Sequence, residues 1–188
     1  MRYRRDRCPG GTWFFTVNLQ HRGDDLLVRH IDALRAVMRR VRRDHPFAIE
    51  AMVVLPDHLH AIWRLPPGDA AYPTRWRLIK AGFTRALARQ GIAGRRPGGA
   101  PGRVVWQRRY WEHRIRDDTD LARHVAYILY NPVKHGHVAH PADWPHSTIH
   151  RDIRAGLLPP DWAAGADIPA GELGERGPDD APRRPRSP

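Results

Sequence analysis

Apolar and polar positions alternate along residues 11–19 (GTWFFTVNL): Phe15, Val17 and Leu19 fall on one side, Phe14, Thr16 and Asn18 on the other. A period of two marks a strand. Over residues 29–44 the period changes. Ile31, Leu34, Val37, Met38 and Val41 recur at helical spacing, with Arg35, Arg39, Arg42 and Arg43 elsewhere on the surface. That pattern predicts an amphipathic helix with a basic outer side. A second strand is expected over 47–55, with Phe47, Ile49, Ala51, Val53 and Leu55 on one face. Pro56-Asp57 turns the chain into a third strand over 58–65, which makes a hairpin. A second helix is expected over about 74–90, with Trp76, Ile79, Phe83 and Leu87 along one stripe. Residues 91–102 (GIAGRRPGGAPG) read as a loop.

A fourth strand is expected within 103–116, around Val104-Val105-Trp106 and His113-Arg114-Ile115. Asp118 is placed to cap a third helix over about 119–131, with Leu121, Val125 and Ile128 buried and Pro132 ending it. Residues 133–162 read as a less regular extension. After about residue 163 the composition turns to Gly, Pro, Ala and charge, which predicts a disordered tail. The expected organisation is thus one domain over 1–162 and a tail over 163–188. The order β-α-β-β-α-β-α predicts an α+β domain, a ferredoxin-like or RRM-like antiparallel sheet with helices mainly on one face.

Charge narrows the partner. The chain carries 32 basic against 20 acidic residues, a formal charge of +12, and 30 of the basic residues are arginine. A GC-rich genome raises arginine content without functional meaning, but a solvated face normally mixes signs. The excess therefore points to a polyanion, whose phosphates match the guanidinium fork. The single cysteine, Cys8, excludes an intrachain disulfide and suits a reducing cytoplasm. No apolar run approaches the roughly 20 residues of a membrane span. The basic start, Met1-Arg2-Tyr3-Arg4-Arg5, lacks the apolar segment of a signal peptide.

The segment Leu55-Pro56-Asp57-His58-Leu59-His60-Ala61-Ile62-Trp63 carries candidate chemistry. On a strand His58 and His60 point the same way, about 7 Å apart, and can converge on one cation. Two ordinary surface histidines are the plain alternative. In Arg123–Pro132, Tyr127 and Asn131 stand four apart and share a helix face. A tyrosine there can act as nucleophile and the amide oxygen can complete a metal shell; equally, the tyrosine can sit at the rim of the core. Tyr130 is the nearest competitor. His113, His124, His135 and His137 are read as structural or DNA-facing. A zinc hydrolase is disfavoured, since no HExxH-like carboxylate accompanies the pair.

Together these segments resemble the REP-associated tyrosine transposases, a branch of the single-tyrosine HUH transposases of bacterial insertion sequences. The resemblance rests on Gly10 to Asn18 (GGTWFFTVN), Val54 to Trp63 (VLPDHLHAIW), Trp106-Gln107, Tyr110 to His113 (YWEH), Tyr127 to Gly136 (YILYNPVKHG) and Asp143-Trp144-Pro145, in order across about residues 5–162. It implies a ferredoxin-like fold, metal ligands at His58, His60 and Asn131, and a nucleophile at Tyr127. It also implies Mg²⁺ or Mn²⁺ as the ion, a 5′-phosphotyrosine intermediate, hairpin DNA of repetitive extragenic palindromes as substrate, and a monomer. Two imidazoles suit Mn²⁺ better on ligand grounds.

DNA contacts are expected from Arg39 and Arg43 on the first helix, Arg77 and Lys80 on the second, the run Arg108, Arg109 and Tyr110, and Lys134. Aromatic faces take unpaired bases and cations take phosphates. Of Trp106 and Trp111, one is expected in the core. The competing reading is a non-catalytic single-strand nucleic-acid-binding module.

Overall fold

The computed structural model describes residues 9–92 and 104–163. The loop expected over 91–102 lies outside the described residues from 93 onward, and the expected tail lies outside them from 164 onward. A four-stranded antiparallel sheet runs in the order β2-β3-β1-β4. Its strands are β1 (Thr12–Asn18), β2 (Ala48–Val54), β3 (His58–Arg64) and β4 (Trp111–Arg114). The helices are α1 (Leu26–Arg29), α2 (Ile31–Asp44), α3 (Tyr72–Arg89), α4 (Asp118–Lys134) and α5 (Ile149–Arg154). The fold is the expected α+β architecture.

Period-two patterning sends each central strand into two cores. Trp13, Phe15 and Val17 of β1, with Leu59, Ala61 and Trp63 of β3, pack under α2 and α3. Phe14 and Ile62 join Ala51, Val53 and Leu55 under α4 and α5 on the opposite face. Helices on one face is therefore right for α2 and α3, while α4 and α5 cover the other. The expected single face of 47–55 is corrected by a bulge. The β2–β3 register shifts between Ile49 and Ala51, so Ile49 stands opposite Trp63 and Ala51 opposite Ile62. The extra residue, Glu50, flips the alternation, which puts Phe47 and Ile49 on the α2/α3 side and Ala51, Val53 and Leu55 on the α4 side. β4 is shorter than the window that held it, although a further bridge joins Leu19 to Trp106.

α4 differs most from expectation. Its cap is Asp117, whose side chain accepts from the Asp120 N–H, rather than Asp118. The helix runs through Pro132 to Lys134. Proline deletes only the bond to the Ile128 carbonyl, and the end is secured elsewhere. Gly136 takes φ +67, while the His137 and Gly136 N–H groups donate to Pro132 and Val133 carbonyls, the Schellman closure. The buried face is His124, Tyr127, Ile128 and Asn131, with Leu121 and Val125 only partly covered. Two turns beyond Tyr127 are thus delivered to the same face of the sheet.

α2 and α3 cross closely at Gly82, where an added Cβ would lie 2.7 Å from Val37 Cγ1. Alanine normally gains about 1 kcal/mol over glycine in a helix. Here the clash with a stiff β-branched neighbour dominates, and Gly82→Ala is expected to cost about 1–3 kcal/mol. Thermal melts check this: adding Val37→Ala should restore part of the loss, and a stabilised Gly82→Ala single variant contradicts the packing argument.

Candidate active site and nucleic-acid interface

Pairing of β1 with β3 sets His58 opposite Asn18 and His60 opposite Thr16. Cross-strand partners share a face, so both imidazoles lie on the α4 side while Leu59 enters the other core. They are 2% and 0% exposed, with ring centroids 5.0 Å apart. His58 Nδ1–H donates to Asp57 Oδ1 at 2.6 Å, and Asp57 is also paired with Arg22 at 3.0 Å. A carboxylate only accepts here, so the His58 lone pair sits on Nε2. That atom is buried without a hydrogen-bond partner among the described residues. His60 Nδ1 lies 2.9 Å from Thr16 Oγ1, which orients the ring and leaves Nε2 as its ligand-capable nitrogen.

Burial lowers the pKa of His58 below the ordinary histidine value, against the opposing pull of Asp57, so the ring is neutral at neutral pH. Burial would raise the Asp57 carboxyl, but the His58 hydrogen bond and the nearby Arg22 outweigh it and hold the group below its ordinary range.

Tyr127, Asn131 and His135 follow one another at one-turn intervals along α4. The Tyr127 ring lies 5.2 Å from His60 and the His135 ring 5.1 Å from His58. Asn131, between them, is 0% exposed, and neither atom of its amide has a hydrogen-bond partner among the described residues. Lys134 is seven residues on from Tyr127, nearly beneath it on the helix, and holds Nζ 5.0 Å from the centre of that ring. Phe14 floors the cluster, 5.7 Å from His60 and 6.0 Å from Tyr127. Tyr127 is 4% exposed, deeper than a rim position. Tyr130 is only half-buried.

The four residues singled out from the sequence, His58, His60, Tyr127 and Asn131, are therefore gathered on one sheet face. A buried polar atom without a partner costs about 1–3 kcal/mol. A cation shared by His58 Nε2, His60 Nε2 and the Asn131 amide oxygen would relieve that cost at His58 and Asn131, so the donor set fits a divalent ion. Asp57, Thr16, Phe14 and His135 do not stand out as site residues in the sequence. Asp57 has one available signal, a carboxylate directly before the histidine; Thr16 requires the strand register.

The expected DNA contacts divide. Arg77, Lys80, Arg108 and Tyr110 line one groove of about 720 Å³ together with Trp76 and Trp106. Lys80 Nζ donates to the Gln107 carbonyl and sits 5.3 Å from the Tyr110 ring and 5.9 Å from Trp106. Trp106 is the core member of the tryptophan pair, packed on Phe83. Arg109 is exposed outside this groove, Arg43 is paired with Asp44 at 3.0 Å, and Arg39 lines a different groove between α2 and β2. Lys134 belongs with the tyrosine. Arg39 of the first helix and Arg77 and Lys80 of the second thus line different grooves.

His113, Asp120 and His124 place ligand-capable atoms within 4.8 Å of one another, close enough to share a cation. Their rings, however, stack 14° from parallel with centroids 4.8 Å apart. An ion in the plane of both rings would need one of them to turn. As they stand, with His113 to Asp120 at 2.8 Å and His124 Nδ1 to the Asp120 carbonyl at 2.8 Å, they tie β4 to α4.

Burial holds His124 below the ordinary histidine pKa. Burial would raise Asp120, but the His113 hydrogen bond and the Arg116 N–H outweigh it and lower that carboxyl. The unfolded chain binds the histidine proton below about pH 6.5 and the folded chain does not. Stability is therefore expected to fall as pH drops from about 7 to 5. The Asp120 contribution is lost at still lower pH, in the same direction. Thermal melts across that interval check it; a melting temperature that is flat or rises toward acid contradicts the buried neutral histidine.

No family model matches the sequence. Among known proteins, a REP-associated tyrosine transposase of Escherichia coli is 49% identical over 171 residues, covering 90% of this chain and 96% of that protein. A Haemophilus influenzae protein provisionally given the same description is 44% identical over 169 residues, 88% of this chain and 95% of that one. A solved structure of a REP-associated tyrosine transposase bound to a REP hairpin superposes with a TM-score of 0.81 at 47% identity, covering 94% of this chain and 98% of that one. With these relatives the chain belongs to the transposases. Within that class, the chain belongs to the REP-associated tyrosine transposase family.

Proposed function

We propose that this chain cleaves and rejoins single-stranded hairpin DNA, with Tyr127 as nucleophile and a divalent ion, Mg²⁺ or Mn²⁺, held by His58, His60 and Asn131. The convergence of Tyr127, Asn131 and both histidines on one sheet face carries this reading. The bound ion supplies Lewis acidity and orientation to the scissile phosphate. Asp57 and Thr16 hold the two imidazoles in the orientation that presents Nε2.

Tyr127 Oη attacks phosphorus. The bond from phosphorus to the 3′ oxygen breaks, the phenol proton is given up, and the departing oxygen takes a proton to leave a 3′-OH. A 5′-phosphotyrosine remains, and attack by a second 3′-OH reverses the step, so joining needs no ATP. The Lys134 cation favours negative charge developing on the phenol oxygen. The groove lined by Arg77, Lys80, Arg108 and Tyr110 is the proposed seat of the hairpin, with Arg109 and Arg43 adding field, while Arg39 stands apart from it in the groove between α2 and β2. By kinship with the hairpin-bound relative, the substrates are hairpins of repetitive extragenic palindromes. The proposed location is the cytoplasm and the proposed state a monomer, with a dimer as the alternative.

The test is incubation with labelled hairpin DNA and Mn²⁺, followed by a denaturing gel. A protein-linked band that chelator abolishes is expected. Binding without any covalent band leaves a non-catalytic module. The same interface predicts steep salt dependence: affinity should fall by orders of magnitude between about 50 and 200 mM salt if about 6–10 phosphates are contacted. Equal affinity for hairpin, single strand and plain duplex contradicts a built interface.

A further inference from the structure

The groove between α2 and β2 has a volume of about 420 Å³. Its floor is apolar, including Leu34, Met38, Met52 and Val54, while Arg35, Arg39, Arg42 and Arg151 stand around it, and among the described residues no carboxylate lines it. Arg42 and Arg151 are tied to backbone carbonyls of Phe47, Ile49 and Glu50, which leaves Arg35 and Arg39 as the cations most able to turn to a ligand. Arg35 pairs with the exposed Asp32 at 3.6 Å.

A path of rings joins this groove to the tyrosine site. His135 lies 5.1 Å from His58, His137 6.1 Å from His135, Trp144 5.1 Å from His137, and His146 5.7 Å from Trp144. His146 lines the groove and lies 3.4 Å from Arg35. The Trp144–Ser147 end of the path is bonded to the edge of the sheet. Trp144 Nε1 donates to the Val54 carbonyl, the Val54 N–H donates to the His146 carbonyl, and Ser147 bridges Val53.

A row of partly exposed rings leading to cations over an apolar floor suits unpaired nucleotides: bases stack on the outer ring faces and guanidinium groups take the phosphates. We infer that the α2/β2 groove is a second DNA site, which takes the single strand running on from the scissile phosphate, while the α3 groove holds the hairpin. This rests on the proposed function, since the single strand must first pass the tyrosine.

Fluorescence anisotropy tests it by comparing a blunt hairpin with one carrying a single-stranded extension of about eight nucleotides, within the usual footprint of single-strand binders. Wild-type protein is expected to favour the extended hairpin by about tenfold, the worth of roughly one stacked base. Arg35→Ala with Arg39→Ala should remove most of that preference and leave affinity for the blunt hairpin nearly unchanged. Its salt slope on the extended substrate should be shallower by roughly 0.7 for each phosphate that is no longer neutralised. Unchanged melting temperature confirms that the variant is folded. Three outcomes overturn the inference: wild type without a preference, a variant that keeps it, or a variant weakened equally on both substrates. Failure of the covalent assay would sink the transferase reading and leave this comparison standing, whereas loss of the preference alone would sink only the groove.

Discussion

Tyr127→Phe is expected to abolish the covalent protein–DNA product, with strand cleavage falling by at least about 10³-fold, the scale of removing a nucleophile outright. The substitution takes away one oxygen and leaves the ring. That ring packs against Phe14 and His60 at 6.0 and 5.2 Å and is 4% exposed, so the fold should melt within about 1 kcal/mol of wild type. Hairpin affinity should barely move, because binding rests on arginines and stacking in a different groove. Tyr130→Phe is the control. Tyr130 lies one residue from Asn131, outside the Tyr127–Asn131–His135 row, and its loss should preserve cleavage. Covalent product surviving in Tyr127→Phe and vanishing in Tyr130→Phe moves the nucleophile by one helical turn; neither change mattering leaves a DNA-binding protein.

His58→Ala should lose cleavage for another reason. The tyrosine remains, but the ligand set is broken, so a large excess of Mn²⁺ is expected to recover part of the activity. No metal concentration should rescue Tyr127→Phe. Asp57→Asn offers a graded version. It keeps His58 in place but removes the charge that fixes its tautomer, which typically costs about 10–100-fold in metal affinity. Metal titrations of cleavage by the two variants check this. Equal metal dependence in His58→Ala and wild type would remove His58 from the ligand set.

How far the pattern of residues reaches is clearest on β3 and α4. Alternation alone places His58 and His60 together, because strand geometry fixes which way successive side chains point. The four-residue spacing of Tyr127 and Asn131 does the same on the helix. What alternation cannot supply is register. That Thr16 stands opposite His60 depends on how β1 pairs with β3, and that is a tertiary fact. The bulge at Glu50 is hidden for a related reason. Apolar residues occur on both faces of β2, so an unbroken period of two describes the sequence equally well, and only pairing with β3 inserts the extra residue.

Pro132 is deceptive in a different way. Proline is costly inside a helix, but it stands two residues before the last helical position, where only one bond is lost and Gly136 closes the end. The extension matters for the site, since it carries Lys134 and His135 to Tyr127 and His58. The buried stripe of α4 departs from the apolar one because polar side chains, His124 and Asn131, occupy it. A helix that faces a reactive centre buries polar groups, and a hydrophobic pattern then points away from its true inner face.

The central claim is that Tyr127 makes the bond to DNA. Its most direct test is to trap the adduct formed with hairpin DNA and Mn²⁺, trim the DNA with nuclease, digest the protein and locate the nucleotide mass by tandem mass spectrometry. The account predicts a nucleotide attached through its 5′ phosphate to the peptide containing Tyr127, with fragments that assign it to Tyr127 itself. Attachment at Tyr130, at Tyr110 or at any residue off α4 would contradict it.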